Sequence, residues 1–289
     1  MSSHEAVPLL PELRARIERL IGGKVRTERV VTAGYSATER WVVNTDRSSL
    51  FVKVGSPPVS EANLRHEARV YERLRLSCMP QRVAWEDDIS RPLLILEDLS
   101  GADWPPPWNA GSLERVLQEL EAMHATSGGL ESYEQRHGAA RSWWTSIAQD
   151  PTAFLSLGLR TRVWFDSNIR TLVELSDSVS PAGRSVCHFD LRSDNVCLSR
   201  ERVTIIDWSL ACLGNPRVDL GLFLPGLVDE GGPLPEAVLP GAPEIAAWVS
   251  GFFAFYASKP FIPSAPRVRA MQRQHLLRAL EWAERELRA

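Results

Sequence analysis

The stretch Cys187-His188-Phe189-Asp190-Leu191-Arg192-Ser193-Asp194-Asn195 constrains the fold more than any other part of the chain. It gathers a histidine, two aspartates, an arginine and an asparagine into one short run. Two β-prone runs follow, Val196-Cys197-Leu198 and Val203-Thr204-Ile205-Ile206, around the turn-prone Ser199-Arg200-Glu201-Arg202. They read as a hairpin, and its second strand ends on the carboxylate of Asp207.

The rest of the chain is organised in two styles. Residues 11–21 read as an amphipathic helix with Leu13, Ile17, Leu20 and Ile21 on one side. From residue 27 to 54 the period changes. Val30-Val31, Trp41-Val42-Val43 and Leu50-Phe51-Val52 are β-rich and separated by turn-prone stretches, which predicts an antiparallel three-strand meander. Residues 60–76 read as a helix and 93–96 as a further strand. After Leu99 comes the stiff connector Trp104-Pro105-Pro106-Pro107-Trp108. Beyond it the pattern is mainly helical, over 112–125 with Ser112 as N-cap, 142–147, 162–175, 242–257 and 266–287. The expectation is an α+β chain with a β-rich lobe over 1–98 and a larger helical lobe over 99–289. The length of 289 residues suits two such units at roughly 100–200 residues per domain.

Composition excludes several classes of function. Apolar residues make up 44% and charged residues 24%, so a real core is available. The net charge of −3, without a basic stripe, argues against nucleic acid as partner. The longest apolar run, 246–257, is broken by Ser250 and Gly251 and falls short of the ~20 residues of a membrane span. Met1-Ser2-Ser3-His4-Glu5 lacks the basic-then-apolar pattern of a signal peptide, so a cytoplasmic location is expected. Four scattered cysteines without a C-x-x-C pair read as reduced thiols, in agreement with that location. Monomer and homodimer are both compatible with the sequence.

The pattern His188-x-Asp190-x4-Asn195 supplies parts that phosphoryl transfer needs, a reaction that rests on positioning and charge neutralisation. Asp190 can take the proton of an attacking hydroxyl. Asn195 can offer an amide oxygen to Mg2+, and Asp207 a carboxylate, since magnesium prefers oxygen ligands. Read on their own, Asp190 and Asn195 are also ordinary turn residues and Asp207 a cap.

The block from 186 to 221 resembles the aminoglycoside phosphotransferase and choline-kinase-like family, a branch of the protein-kinase-like fold; a weaker resemblance extends over nearly the whole chain. It implies a bilobal protein-kinase-like fold, with Asp190 as catalytic base and Asn195 and Asp207 as the metal-binding residues of a nucleotide site for ATP or GTP. Arg192 stands where protein kinases carry a lysine aimed at the transferred phosphate, so it is a second catalytic candidate; its alternative is a surface arginine paired with Asp194 or Glu201. His188 is expected to scaffold the loop, Asp219 to brace it from a helix start, and His124 to serve as packing.

The N-terminal half adds its own support. Lys53 lies inside the apolar strand Phe51-Val52-Lys53, where a lysine is costly unless paired or serving an anion. Leu64, Glu67, Tyr71 and Leu74 share one helical stripe, which makes Glu67 its natural partner, with Glu61 and Glu72 as fallbacks. Such a pair matches the kinase arrangement in which the lysine holds nucleotide phosphates. Gly34, Tyr35 and Ser36 lie between two strands, where small residues let backbone N–H groups approach phosphates, though a plain hairpin turn is also open. Glu97 and Leu99 fall on the hinge whose backbone binds the purine in the resembled family. Ten tryptophans are read as core by default, with an aromatic acceptor pocket as the alternative.

Only eleven residues separate Asp207 from Asp219, with no D-F-G and no A-P-E, so an extended peptide has no docking platform. The expected acceptor is a hydroxyl of a small molecule: an antibiotic of aminoglycoside or nucleoside type, or a metabolite such as a sugar or amino alcohol. The rival from another class is a catalytically inactive kinase-like nucleotide-binding protein. All four of Lys53, Asp190, Asn195 and Asp207 are present, which weighs against decay.

Overall fold

The computed structural model describes residues 9–32, 34, 38–56, 59–108 and 111–288. In chain order the elements are α1 (Pro11–Ile21), β1 (Thr27–Val30), β2 (Glu39–Asn44), β3 (Ser49–Val54), α2 (Val59–Arg73), β4 (Arg82–Glu86), β5 (Leu93–Glu97), α3 (Ser112–Ala125), α4 (Tyr133–His137), α5 (Trp143–Gln149), α6 (Thr152–Ser156), α7 (Arg162–Asp177), β6 (Ser185–Cys187), β7 (Val196–Leu198), β8 (Val203–Ile205), β9 (Cys212–Gly214), α8 (Pro216–Asp229), α9 (Pro235–Val238), α10 (Pro243–Ala257) and α11 (Val268–Glu286). They fall into two compact units. One comprises Met1–Asp103 with Cys197–Ser209, the other Trp104–Val196 with Leu210–Ala289. The architecture is α+β, with the long sheet in the first unit and most helices in the second.

In the first unit β1 to β5 form an antiparallel sheet of order β1-β2-β3-β5-β4, and β1-β2-β3 is the expected meander. Strand residues alternate between faces, and that alternation decides where Lys53 goes. Val52 and Val54, with Trp41, Val43, Leu93 and Ile95, pack under Leu9, Leu13 and Ile17 of the α1 region. Burial of Leu13 and Ile17 stabilises this packing by about 1.5–3 kcal/mol each. Lys53, one residue out of phase, faces the other side, against α2. The helix α1 begins with Pro11 at its first position and ends on Gly22 at φ 61°, the usual asymmetry of helix ends. The β7–β8 hairpin belongs with this unit. Leu198 exchanges two backbone hydrogen bonds of 2.8 Å with Asp103, and Ile205 N–H donates to Cys78 O at 2.7 Å.

In the second unit α10 packs with α11, α7, α5 and α8 around Trp144, Trp282 and Phe223, all fully buried. The two-stranded β6–β9 pair sets the root of the loop that follows Cys187. The N-cap of α3 is Gly111, at φ 85°, and not Ser112, which is the buried first residue of the helix. A glycine there satisfies the left-handed backbone that a serine cap does not adopt. The four cysteines are free and buried. No helix among the described residues is long and apolar enough to cross a membrane.

Candidate functional site

The first unit places Lys53 in a buried ionic cluster. Lys53 is 4% exposed and Glu67 0%. Lys53 Nζ donates to Glu67 Oε2 at 2.5 Å and to Asp207 Oδ1 at 3.0 Å. Burial alone pulls the ammonium's pKa down, but Asp207 and Glu67 together outweigh it and hold Lys53 above the ordinary lysine value. The cluster follows from local structure. The pleat of β3 turns Lys53 toward α2, and Leu64, Glu67, Tyr71 and Leu74 form the buried stripe of that helix. The fallback partners are used elsewhere, Glu61 with Arg65 and Glu72 with Arg82. Asp207 follows β8 with φ 64°, a left-handed conformation unusual for a non-glycine residue.

The second unit builds the loop around Asp190. Arg192 Nη1 donates to Asp190 Oδ1, while Arg192 Nε donates to Asp194 Oδ1 at 2.9 Å. Asn195 Nδ2 donates to the backbone O of Asp190 at 2.8 Å and to its Oδ2 at 3.2 Å. Both carboxylate oxygens are thereby oriented. Behind the loop, fully buried Asp219 accepts from the backbone N–H of His188 at 2.8 Å and of Phe189 at 2.7 Å. His124 Nε2 lies 2.9 Å from the same carboxylate, so His124 is a polar partner of the brace and not packing alone. The Asp190 N–H donates to His188 Nδ1 at 3.3 Å, a scaffold contact. Phe189, at φ 57°, is locked by its ring, whose centroid lies 5.3 Å from that of Tyr133 and 5.5 Å from that of His137. A Cβ on Gly214 would stand 2.5 Å from that ring, so only glycine fits there.

The remaining expected residues have quieter surroundings. Glu97 ends β5. Its N–H donates to Gln81 O at 3.0 Å, and its carboxylate accepts from Gln81 N–H at 2.7 Å and from Arg202. The carbonyl of Leu99 accepts from Ala102 N–H at 3.0 Å. Gly34 has φ 102°, and a Cβ there would meet the Arg40 guanidinium at 3.3 Å. Tyr35 and Ser36 lie outside the described residues. Trp143, Trp144, Trp208 and Trp282 are core residues. Trp108 is half-buried, and its Nε1 donates to Glu230 Oε2 at 2.9 Å; Glu230 Oε1 accepts from Ser193 Oγ. This carboxylate ties Trp108 to the turn that follows Asp190, a link that nothing in the sequence announces. A glutamate just past a helix end carries no signal for such a role.

The donor chemistry fits magnesium in both units. Asn195 turns its amide nitrogen to Asp190, which leaves the carbonyl oxygen as the atom offered to a cation. Asp207 is a carboxylate beside an ammonium at a strand end. Both are the hard oxygen ligands that magnesium takes.

Three comparisons bear on this arrangement. No curated protein matches the chain by sequence. Among solved structures, spectinomycin phosphotransferase APH(9)-Ia, in complex with ADP and spectinomycin, is similar at TM-score 0.59 and 14% identity over 100% of both chains. A thermostable mutant of aminoglycoside phosphotransferase APH(4)-Ia, in ternary complex with AMP-PNP and hygromycin B, is similar at TM-score 0.60 and 16% identity, over 96% of this chain and 98% of that one. A putative aminoglycoside phosphotransferase from Ralstonia eutropha gives TM-score 0.60 and 17% identity, over 94% and 97%. At these identities the likeness shows a shared fold, the kinase-like fold of the aminoglycoside phosphotransferases. The model of the phosphotransferase enzyme family matches residues 27–285. With nine-tenths of its length inside that match, the chain belongs to the phosphotransferase enzyme family.

Proposed function

We propose that this phosphotransferase moves the γ-phosphate of ATP or GTP to a hydroxyl of a small molecule, with Asp190 as the base. The observation that carries the reading is the Asp190 carboxylate, oriented on one oxygen by Arg192 and on the other by Asn195, in a loop that buried Asp219 braces through two backbone N–H groups. Asp190 accepts the proton of the attacking hydroxyl, a role worth about 10²–10⁴-fold in rate. Arg192 adds a guanidinium beside the reacting oxygens, suited to the negative charge of the transferring phosphoryl group.

Lys53 holds the nucleotide phosphates, and Glu67 fixes its ammonium, the pairing that active protein kinases require. Asn195 and Asp207 hold magnesium, which when bound neutralises phosphate charge. Gly34 belongs to the segment that covers the phosphates, and the backbone at Glu97 and Leu99 meets the purine. In this reading residues 1–98 carry the nucleotide and residues 99–289 the catalytic loop and the acceptor. A nucleotide is supported by the ADP and AMP-PNP bound in the similar structures, and an antibiotic-sized acceptor by their spectinomycin and hygromycin B. The cytoplasm, which holds both ATP and magnesium, is the matching compartment.

The test is an ADP-release screen across antibiotics, nucleosides, sugars and amino alcohols, with Asp190→Ala as blank. On the acceptor found, Asp190→Ala should lose about 10²–10⁴-fold in kcat while still binding Mg·ATP. Asp207→Ala should lose the magnesium-dependent part of nucleotide affinity in calorimetry. Near-native turnover by the Asp190 variant would remove it from the chemistry.

A further inference from the structure

Tyr71 is placed where an apolar residue would serve the fold better. It lies one turn beyond Glu67 on α2, is 3% exposed, and sits on the same buried stripe as Leu64 and Leu74. Phenylalanine would fill that volume without bringing a hydroxyl into the core. The Tyr71 hydroxyl and Glu67 Oε1 are both buried, and neither has a hydrogen-bond partner among the described residues. A buried polar group left unpaired is destabilising, and more so when it is charged. Two such groups, on one face of one helix, call for a common explanation.

They are complementary. Residues four apart on a helix face bring their Cβ atoms to roughly 5–6 Å, one hydroxyl donor beside one carboxylate acceptor. Burial first, then the charges of Glu67 and Asp207, push the phenol pKa well above the ordinary tyrosine value, so the hydroxyl keeps its proton and remains a donor. A single water needs two to four polar partners, and these two groups supply the minimum. We infer that Tyr71 is a positioning residue of the nucleotide half-site, whose hydroxyl holds Glu67 Oε1 through one ordered water and so keeps Glu67 Oε2 on the Lys53 ammonium.

The physical gain lies in the bound state. Lys53 is shared between Glu67 and Asp207. With Asp207 engaged as a metal ligand, Glu67 would be the main protein anion left to Lys53. A carboxylate fixed through one oxygen can still rotate, whereas one fixed through both cannot. Tyr71 therefore acts on nucleotide affinity more than on folding. This rests on the reading of Lys53 as the lysine that holds the nucleotide phosphates.

The experiment measures Mg·AMP-PNP affinity by calorimetry and thermal midpoints for the wild type, Tyr71→Phe, Glu67→Gln, the double variant of these two, and Lys53→Met. Tyr71→Phe should bind about tenfold more weakly, and any fall in its midpoint should disappear in the Glu67→Gln background, because the hydroxyl stabilises the fold only through the Glu67 carboxylate. In the Glu67→Gln background the same change should cost less than about twofold, since the path runs through Glu67. Unchanged affinity in Tyr71→Phe, with weakened affinity in Lys53→Met, overturns the inference and leaves the nucleotide reading standing. Unchanged affinity in Lys53→Met overturns both. An equal loss of affinity from Tyr71→Phe in both backgrounds, or an equal fall in midpoint in both, marks a packing role and also overturns it.

Discussion

Replacing Asp219 by asparagine tests the brace behind the loop that carries Asp190 with the smallest possible change of shape. The carboxylate is fully buried and takes two donors on Oδ2, His188 N–H and His124 Nε2, and one on Oδ1, Phe189 N–H. An amide keeps only one acceptor oxygen. Its better orientation leaves that oxygen on the two-donor side and sets an NH2 against the Phe189 N–H. One buried donor is then unpaired, at about 1–3 kcal/mol, and the other two bonds lose their charge assistance, roughly half their strength. The sum is about 3 kcal/mol. At roughly 2–4 °C per kcal/mol in a chain of this size, the thermal midpoint should fall by about 6–12 °C. The amides of His188 and Phe189, read by hydrogen exchange, should lose about a hundredfold in protection, since each tenfold corresponds to about 1.4 kcal/mol. Turnover should fall with them, because Phe189 relaxes from its left-handed backbone and Asp190 moves with it. A midpoint within 2 °C of wild type and unchanged protection at residues 188 and 189 would refute the reasoning that Asp219 holds the loop.

Two further changes probe neighbouring parts of the same unit. His275 on α11 lies edge-on to Phe253 at 5.2 Å, and burial, followed by the Arg192 charge, lowers its pKa to about 4. The unfolded histidine titrates near 6.5. Between these values the unfolded chain binds the extra proton, so stability falls as pH falls through that window, by up to about 3 kcal/mol once the folded form is also protonated. His275→Phe should flatten this slope in urea unfolding at pH 7 and pH 4.5; identical slopes in both proteins would remove His275 as the cause. Gly214→Ala should cost about 1–3 kcal/mol, because its Cβ falls 2.5 Å from a Phe189 ring wedged by Tyr133 and His137. Urea midpoints equal to wild type would show that the ring yields.

The elements that were legible in the sequence carry a clean period or a clear cap. The helix α1 has apolar residues at helical spacing, a proline at its start and a glycine past its end, and its limits match the reading. The helix α8 escaped as a periodic segment because Val218, Leu222, Phe223, Leu224 and Leu227 bury it on nearly every side, and Pro225 lies within it. A helix apolar all round has no stripe to detect. The strand β4 escaped for the opposite reason. It is a sheet edge, with charged Arg82 and Glu86 at its ends and a register shift between Arg82 and Ala84, so the alternation is spoiled. The Lys53–Glu67 pair was legible because each residue breaks an otherwise apolar pattern, and two opposite charges on facing buried positions have few alternatives to each other.

The geometry that aims the carboxylates was not legible, for a reason that bears on function. Phe189 at φ 57° and Asp207 at φ 64° are the two non-glycine residues with positive φ among those described. One directly precedes Asp190, and the other is itself the proposed metal ligand. Sequence signals left-handed backbone mainly through glycine, asparagine and aspartate; phenylalanine gives no such signal. Each position costs on the order of 1–2 kcal/mol and persists only where its surroundings over-determine it. At Phe189 those surroundings are the Asp219 carboxylate on its N–H, the Tyr133 and His137 rings on its side chain, and the bare Cα of Gly214 beneath it. At Asp207 they are the Lys53 ammonium and the turn at Trp208, whose indole N–H donates to Ile205 O at 2.7 Å. The strain therefore falls on the residue before Asp190 and on Asp207, the two carboxylates proposed for the chemistry, and Asp219 and Gly214, which hold Phe189 in place, belong to the proposed site as much as those carboxylates do.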